Sequence, residues 1–126
     1  MTRINLVDPK ELHQKHLVAE YREIARVFAL SRKAQFDVMR GKKNLPNEYT
    51  LGTGHVLFFY NKLGYILNRY KSLTAEMISR GYSPNPIPEE DLIFKIDKKM
   101  FGDYIPTEEA IKINRARIYD RMPKGK

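Results

Sequence analysis

Apolar residues return every three or four positions along the first third of the chain, with Leu17, Tyr21, Ile24 and Phe28 on one helical stripe. Asp8 can cap such a helix, Pro9 suits its first position and Glu11 stands where a capping-box carboxylate belongs, so a helix is expected from there to about Arg40. Gly41 to Thr50, punctuated by Asn44, Pro46 and Asn47, reads as a loop. A second helix is expected from about Thr53 to Arg80, with Gly81 as its C-terminal cap. Its apolar positions (Val56, Phe59, Tyr60, Leu63, Leu67, Tyr70, Met77) spread widely enough to face more than one neighbour, and Tyr21 and Tyr60 are assigned to the core. Prolines 84, 86 and 88 exclude a regular element, so irregular chain with one helical turn is expected on to Tyr104, a length of connection that is often functional or packed as a lid. The last helix starts near Pro106–Glu109, whose acids match the helix dipole, packs Ala110, Ile111 and Ile118 inward, and ends before Pro123. The pattern predicts an all-α, compact single-domain three-helix fold with long irregular connections, spanning residues 1–126.

Composition narrows the chemistry. The sequence has no cysteine, which excludes disulfides, thiolate zinc sites and a cysteine nucleophile. Its three histidines, His13, His16 and His55, are too few and scattered to suggest a metal, so no metal or cofactor is expected; His55 and the Asp103–Tyr104 pair read as structural. No apolar run approaches the roughly 18 residues that span a bilayer, and no signal pattern opens the chain; a cytoplasmic protein is expected, nucleoid-associated or virus-encoded. The net charge of +8 is unevenly placed. Residues 1–40 hold eight basic and five acidic side chains, residues 41–109 nine of each, and residues 110–126 six basic and one acidic. If the fold joins the two ends, they make one basic surface suited to a phosphate backbone; charge alone serves solubility equally well.

No phosphate-binding glycine loop, nucleophile–base triad or metal-binding histidine pair is present, and Gly52-Thr53-Gly54 lacks the lysine of a nucleotide loop and reads as the start of a helix. Lys15, Arg22, Arg26 and Lys33 fall nearly opposite the first apolar stripe, with Glu23 on the flank of this basic face. Arg22 and Arg26, one turn apart, can straddle adjacent phosphates or simply form a solvated face. His16 lies on the same flank as Glu23. The chain opens Met1-Thr2-Arg3, and an initiator methionine before a small threonine is normally removed, which frees the Thr2 α-amine. α-Amines titrate about two to three units below lysine, so a useful fraction is neutral and nucleophilic near pH 7. Attack by an amine on a sugar C1′ gives a cationic imine that a nearby carboxylate can serve, and Glu23 is the candidate. From these residues alone, an ordinary terminus and an ordinary surface glutamate remain the commoner reading.

The opening MTRINL and the blocks HLVAEYREIARVF, LGTGHVLFFYNKL and GDYIPTEEA closely resemble the pyrimidine-dimer DNA glycosylase family of the phage endonuclease V type, over nearly the whole chain. The resemblance implies a compact three-helix enzyme, an N-glycosylase with AP lyase activity, whose partner is double-stranded DNA containing cis-syn pyrimidine dimers. It implies that the Thr2 α-amine attacks C1′ of the 5′ sugar, expels the base and forms an imine, after which β-elimination breaks the strand. Glu23 matches the family's essential carboxylate; Arg3, His16, Arg22, Arg26 and Arg117 match its DNA-contacting positions, and Arg121 stands where the phage enzyme has a lysine. The family also kinks the duplex and extrudes a base opposite the dimer.

Two departures stand out. The chain stops at Arg-Met-Pro-Lys-Gly-Lys, without the aromatic tail of the phage enzyme, and Lys15 replaces a neutral amide, adding a charge for phosphate contact. A monomer without membrane partners is expected. Two alternatives stay open: a non-enzymatic helical DNA-binding protein, and the same lyase chemistry on abasic or oxidised lesions.

Overall fold

A computed structural model describes residues 4–121. The all-α class holds: among the described residues five α-helices run as α1 (Gln14–Ile24), α2 (Arg26–Met39), α3 (Leu63–Ser79), α4 (Glu89–Ile93) and α5 (Glu108–Asp120), with one short 3₁₀ turn before α1 and two more between helices. Among the described residues the only β pairing is one isolated antiparallel bridge, Lys62 with Phe101. No helix among them is long and apolar enough to cross a membrane.

The expected first helix is two helices and starts later. Asp8 does cap, but it caps a single 3₁₀ turn, Pro9–Glu11, by accepting from the Lys10 amide at 2.9 Å. Leu12 then adopts an extended backbone and is buried at 2% exposure, which carries the chain into the core before a helix can continue. His13, not Asp8, caps α1: its Nδ1 accepts from the Lys15 amide at 3.0 Å. Glu11 is drawn away from any capping box by Arg115 of α5, 3.0 Å distant. The helix breaks at Ala25, whose dihedrals stay helical while the ladder tightens to a bond from the Phe28 amide to the Ala25 carbonyl. The apolar stripe survives the break, with Leu17, Ile24 and Phe28 buried and Tyr21 half-buried against Tyr70.

The second long helix begins about ten residues after its expected start. Gly52 and Gly54 take left-handed dihedrals (φ of 79° and 92°) and build a turn, not a helix start. The 3₁₀ turn Leu57–Phe59 follows, and α3 begins at Leu63 because its first amides find an acceptor there: Gly64 and Tyr65 both donate to the Gly102 carbonyl, at 3.0 and 3.3 Å. Gly102 donates in return to the Asn61 carbonyl at 3.1 Å, an approach so close that a Cβ at Gly102 would lie 2.6 Å from that oxygen. The far end matches the expectation: Gly81, at φ 92°, follows α3, and the next amide, Tyr82, reaches back to the Met77 carbonyl. Thr107 caps α5 through its hydroxyl, which accepts from the Ala110 amide. The 81–107 connection, expected to carry one helical turn, holds α4 and one 3₁₀ turn and is latched to α2. Arg32 donates to the carbonyls of Asp91, Leu92 and Phe94, and Gln35 bonds the backbone of Lys95 and Asp97.

One core cluster joins these elements, and Ile4, which is fully buried, belongs to it. An aromatic group of Phe58, Phe59, Tyr65 and Tyr104 packs ring against ring at centroid separations of 5.0–6.2 Å. Burial pushes the Tyr65 phenol up to about 12, with the nearby Arg69 charge opposing that shift. A phenol whose pKa rises on folding stabilises the fold fully below the unfolded value near 10 and loses that contribution as pH climbs toward 12. Denaturant titrations at pH 9 to 12 are expected to show Tyr65→Phe losing less stability than the parent over that window.

Candidate active site

The described chain begins with a segment outside any helix, Ile4 to Val7, held by side chains of His55, Glu20, Asn114, Tyr49 and Arg69. The Ile4 amide donates to Nε2 of His55 (2.8 Å), the Asn5 amide to Oε2 of Glu20 (3.3 Å), and the Leu6 amide to Oδ1 of Asn114 (2.6 Å). The Ile4 carbonyl accepts from the Tyr49 hydroxyl (2.9 Å), and the Val7 carbonyl accepts from the Arg69 guanidinium. The Asn5 side chain joins both sides, donating to Glu20 and accepting from Asn114, each at 2.8 Å.

Glu20 and Arg69 lie at the centre of this network. Arg69 on α3 makes a two-pronged contact to Glu20 on α1, Nε to Oε2 at 2.8 Å and Nη2 to Oε1 at 3.1 Å, with both side chains nearly inaccessible. Burial alone pulls the Arg69 guanidinium down, but the Glu20 charge and hydrogen bonds outweigh it and hold Arg69 above its ordinary value. Sequence reasoning missed this pair, along with Asn5 and Asn114. The available signal was position: Glu20 sits within the Leu17–Ile24 stripe, Arg69 within the run of Ile66, Tyr70 and Leu73, and Asn114 one turn after Ala110.

Above the network opens a cleft of about 130 Å³, lined by Asn5, His16, Ala19, Glu20, Glu23, Arg117, Ile118 and Arg121. Four of the residues singled out in the sequence, His16, Glu23, Arg117 and Arg121, therefore meet in one place, brought together by α1 and the end of α5. Nε2 of His16 donates to the Arg121 carbonyl (3.1 Å), which leaves Nδ1 buried without a partner among the described residues. Glu23 is half-buried, and its carboxylate is in no hydrogen bond or ion pair with another described residue. Lys15, Arg22 and Arg26 are exposed on α1 and the start of α2; they do not line the cleft and none is in an ion pair among the described residues. By contrast, Arg69, Arg80 and Arg115 are each committed to a carboxylate. Thr2 and Arg3 lie outside the described residues, although Asn5, three positions after Thr2, lines the cleft beside Glu23. His55 is buried, with Nδ1 donating to the Thr50 carbonyl at 2.7 Å.

The family model described as pyrimidine dimer DNA glycosylase matches residues 1–89. The chain belongs to that family. The family is one of DNA-repair glycosylases, so DNA is the substrate it implies. The cleft lies where the N-terminal segment, α1 and α5 meet, while α1 and α2 present Arg22 and Arg26, exposed and in no ion pair among the described residues. The charged ends of the chain do come together: residues 4–7 bond Asn114, Glu11 pairs with Arg115 and His16 meets the Arg121 carbonyl.

Removing one partner of the buried pair leaves a charge with nothing to balance it. Arg69→Met is expected to cost about 3–5 kcal/mol in equilibrium unfolding. The double variant Glu20→Leu/Arg69→Met is expected to recover only part of that, because the Asn5 amides and the Val7 carbonyl then lose their partners.

Proposed function

We propose that this glycosylase acts on cyclobutane pyrimidine dimers in duplex DNA through the α-amine of Thr2, exposed by loss of Met1, with Glu23 as its acid–base partner. The observation that carries the reading is the shared cleft: the pinned N-terminal segment, two residues from Thr2, and an uncommitted carboxylate line the same wall. The amine attacks C1′ of the 5′ nucleotide of the dimer; the C1′–N bond breaks with its electron pair leaving on the base, the amine loses a proton, and the C1′–O4′ bond then opens with O4′ taking up a proton, which gives the protonated imine. Glu23 stabilises the cationic sugar or imine. It then assists removal of the C2′ proton in the β-elimination that expels the 3′ phosphate, which gives the AP lyase activity.

At about 130 Å³ the cleft is smaller than the roughly 300–1,000 Å³ that encloses a small-molecule ligand, and so suits a single sugar presented by a bound duplex. His16, Arg117 and Arg121 on its wall, Lys15, Arg22 and Arg26 exposed on α1 and α2, and Arg3 are assigned to the DNA backbone. The chain works in this reading as one domain and as a monomer, on nucleoid or viral DNA in the cytoplasm.

The deciding experiment is borohydride trapping on a duplex carrying one cis-syn thymine dimer, with the N-terminus of the protein verified by mass spectrometry. A covalent adduct mapped to Thr2 supports the reading; no adduct from correctly processed protein that binds the duplex leaves a DNA-binding module. Parallel trapping on abasic and oxidised duplexes distinguishes dimer chemistry from general lyase chemistry. Glu23→Gln is expected to keep DNA binding while strand cleavage falls by about 10²–10⁴-fold.

Neutralising Arg22 or Arg26 is expected to weaken binding to damaged and undamaged duplex alike and to reduce the slope of log K against log salt by about one. An unchanged slope in both variants removes them from the backbone contact.

A further inference from the structure

The segment Ile4–Val7 is anchored more elaborately than stability alone requires. Burial of Ile4, Leu6 and Val7 already fixes its depth in the core. An apolar anchor is non-directional, however, and does not fix rotation about the strand axis or sliding along it. Directional bonds do, and here four consecutive amides each donate to a side chain: Ile4 to His55, Asn5 to Glu20, and both Leu6 and Val7 to Asn114. Assembling this clamp requires Glu20, Arg69, His55 and both asparagines to be buried, and buried ion pairs of this kind are seldom net stabilisers compared with apolar packing. What the clamp gives is a fixed geometry.

We propose that His55 is a positioning residue for the nucleophilic amine, its Nε2 holding the Ile4 amide so that the two residues before Ile4 start from one fixed point and direction. The proposal rests on the Thr2 reading. Chain termini are ordinarily the least ordered parts of a protein, whereas an attacking nitrogen must be held about 3–3.5 Å from the carbon it attacks. Two residues span at most about 7 Å, so the placement of the Ile4 nitrogen sets the reach of the amine. His55 is suited to this task. Its Nδ1–H is spent on the Thr50 carbonyl at 2.7 Å, which fixes the tautomer and leaves the Nε2 lone pair for Ile4 at 2.8 Å. The ring is locked edge-on to Tyr49 and to Phe59, with centroids 5.3 and 5.9 Å away. Tyr49 in turn holds the Ile4 carbonyl, so both polar groups of one residue are tied to this aromatic wall. Asn5, bonded to Glu20 and Asn114, repeats the constraint one residue further in.

The test compares the parent with His55→Phe, which keeps a ring but loses the acceptor, and His55→Gln, whose amide oxygen can accept from Ile4. The probe is the dimer duplex, and the readouts are its Kd and the single-turnover rate of borohydride-trappable adduct. His55→Phe is expected to bind within about two-fold of the parent while adduct formation slows by about 10²-fold, the order of loss that a 1 Å misplacement causes. His55→Gln is expected to restore most of that rate. Should His55→Phe not fold, Asn5→Ala is expected to show the same split between binding and rate and decides the matter. Parent-like trapping rates in the folded variant overturn the proposal and leave the amine in place. Loss of affinity and thermal stability in parallel with rate, without rescue by His55→Gln, also overturns it, since the role is then merely structural. Absence of any Thr2 adduct in the parent overturns the amine reading itself.

Discussion

The contact between Glu20 and Arg69 links the parts on which the site depends. It joins α1 to α3 across the interior, and the carboxylate that receives the guanidinium also receives both amides of Asn5. The guanidinium that neutralises Glu20 also holds the Val7 carbonyl. An ion pair in so dry a place is tolerated because each carboxylate oxygen of Glu20 accepts two bonds and each guanidinium nitrogen of Arg69 donates one, and the N-terminal segment supplies several of the partners. The segment and the pair are therefore mutually dependent: without the segment the carboxylate is under-satisfied, and without the carboxylate the segment loses its register. This arrangement puts Asn5 and Glu23 on the wall of one cleft.

The surface follows a different rule from the interior. Inside, charge is fully matched; at the cleft and along α1 into α2, Lys15, Arg22, Arg26 and Glu23 have no protein partner among the described residues. Side chains left unmatched on a rigid helix face need no reorganisation when a polyanion arrives, which favours electrostatic capture of a duplex. The cleft itself draws its charge from both ends of the sequence, Glu23 from α1 and Arg117 and Arg121 from the end of α5.

Much of this could be read from the residues, for definable reasons. The Leu17–Phe28 stripe, the Gly81 terminus and the Thr107–Glu109 start are local signals, and each appears in the structure where the pattern put it. The start of α3 could not be read, because its acceptor is the backbone carbonyl of Gly102, distant in sequence and without a side chain to betray it. The break at Ala25 carries no glycine or proline. Among the candidate residues, His16, Glu23, Arg117 and Arg121 were singled out in the sequence and meet in the cleft, whereas Glu20, Arg69 and Asn114 were not singled out. Their placement on otherwise apolar stripes was the clue, since a charged residue at a core position needs a partner there.

The bond between Leu6 and Asn114 spans 108 positions of sequence. During synthesis at about 5–20 residues per second the first residues leave the ribosome many seconds before α5 exists to hold them. Throughout that interval the Leu6 and Val7 amides lack the Asn114 side chain that receives them, and the segment gains its full set of bonds only when the last helix docks. The order of translation thus makes the seating of Leu6 and Val7 one of the last events of folding. A circular permutant that moved α5 to the front would reverse that order even with every contact in the fold retained.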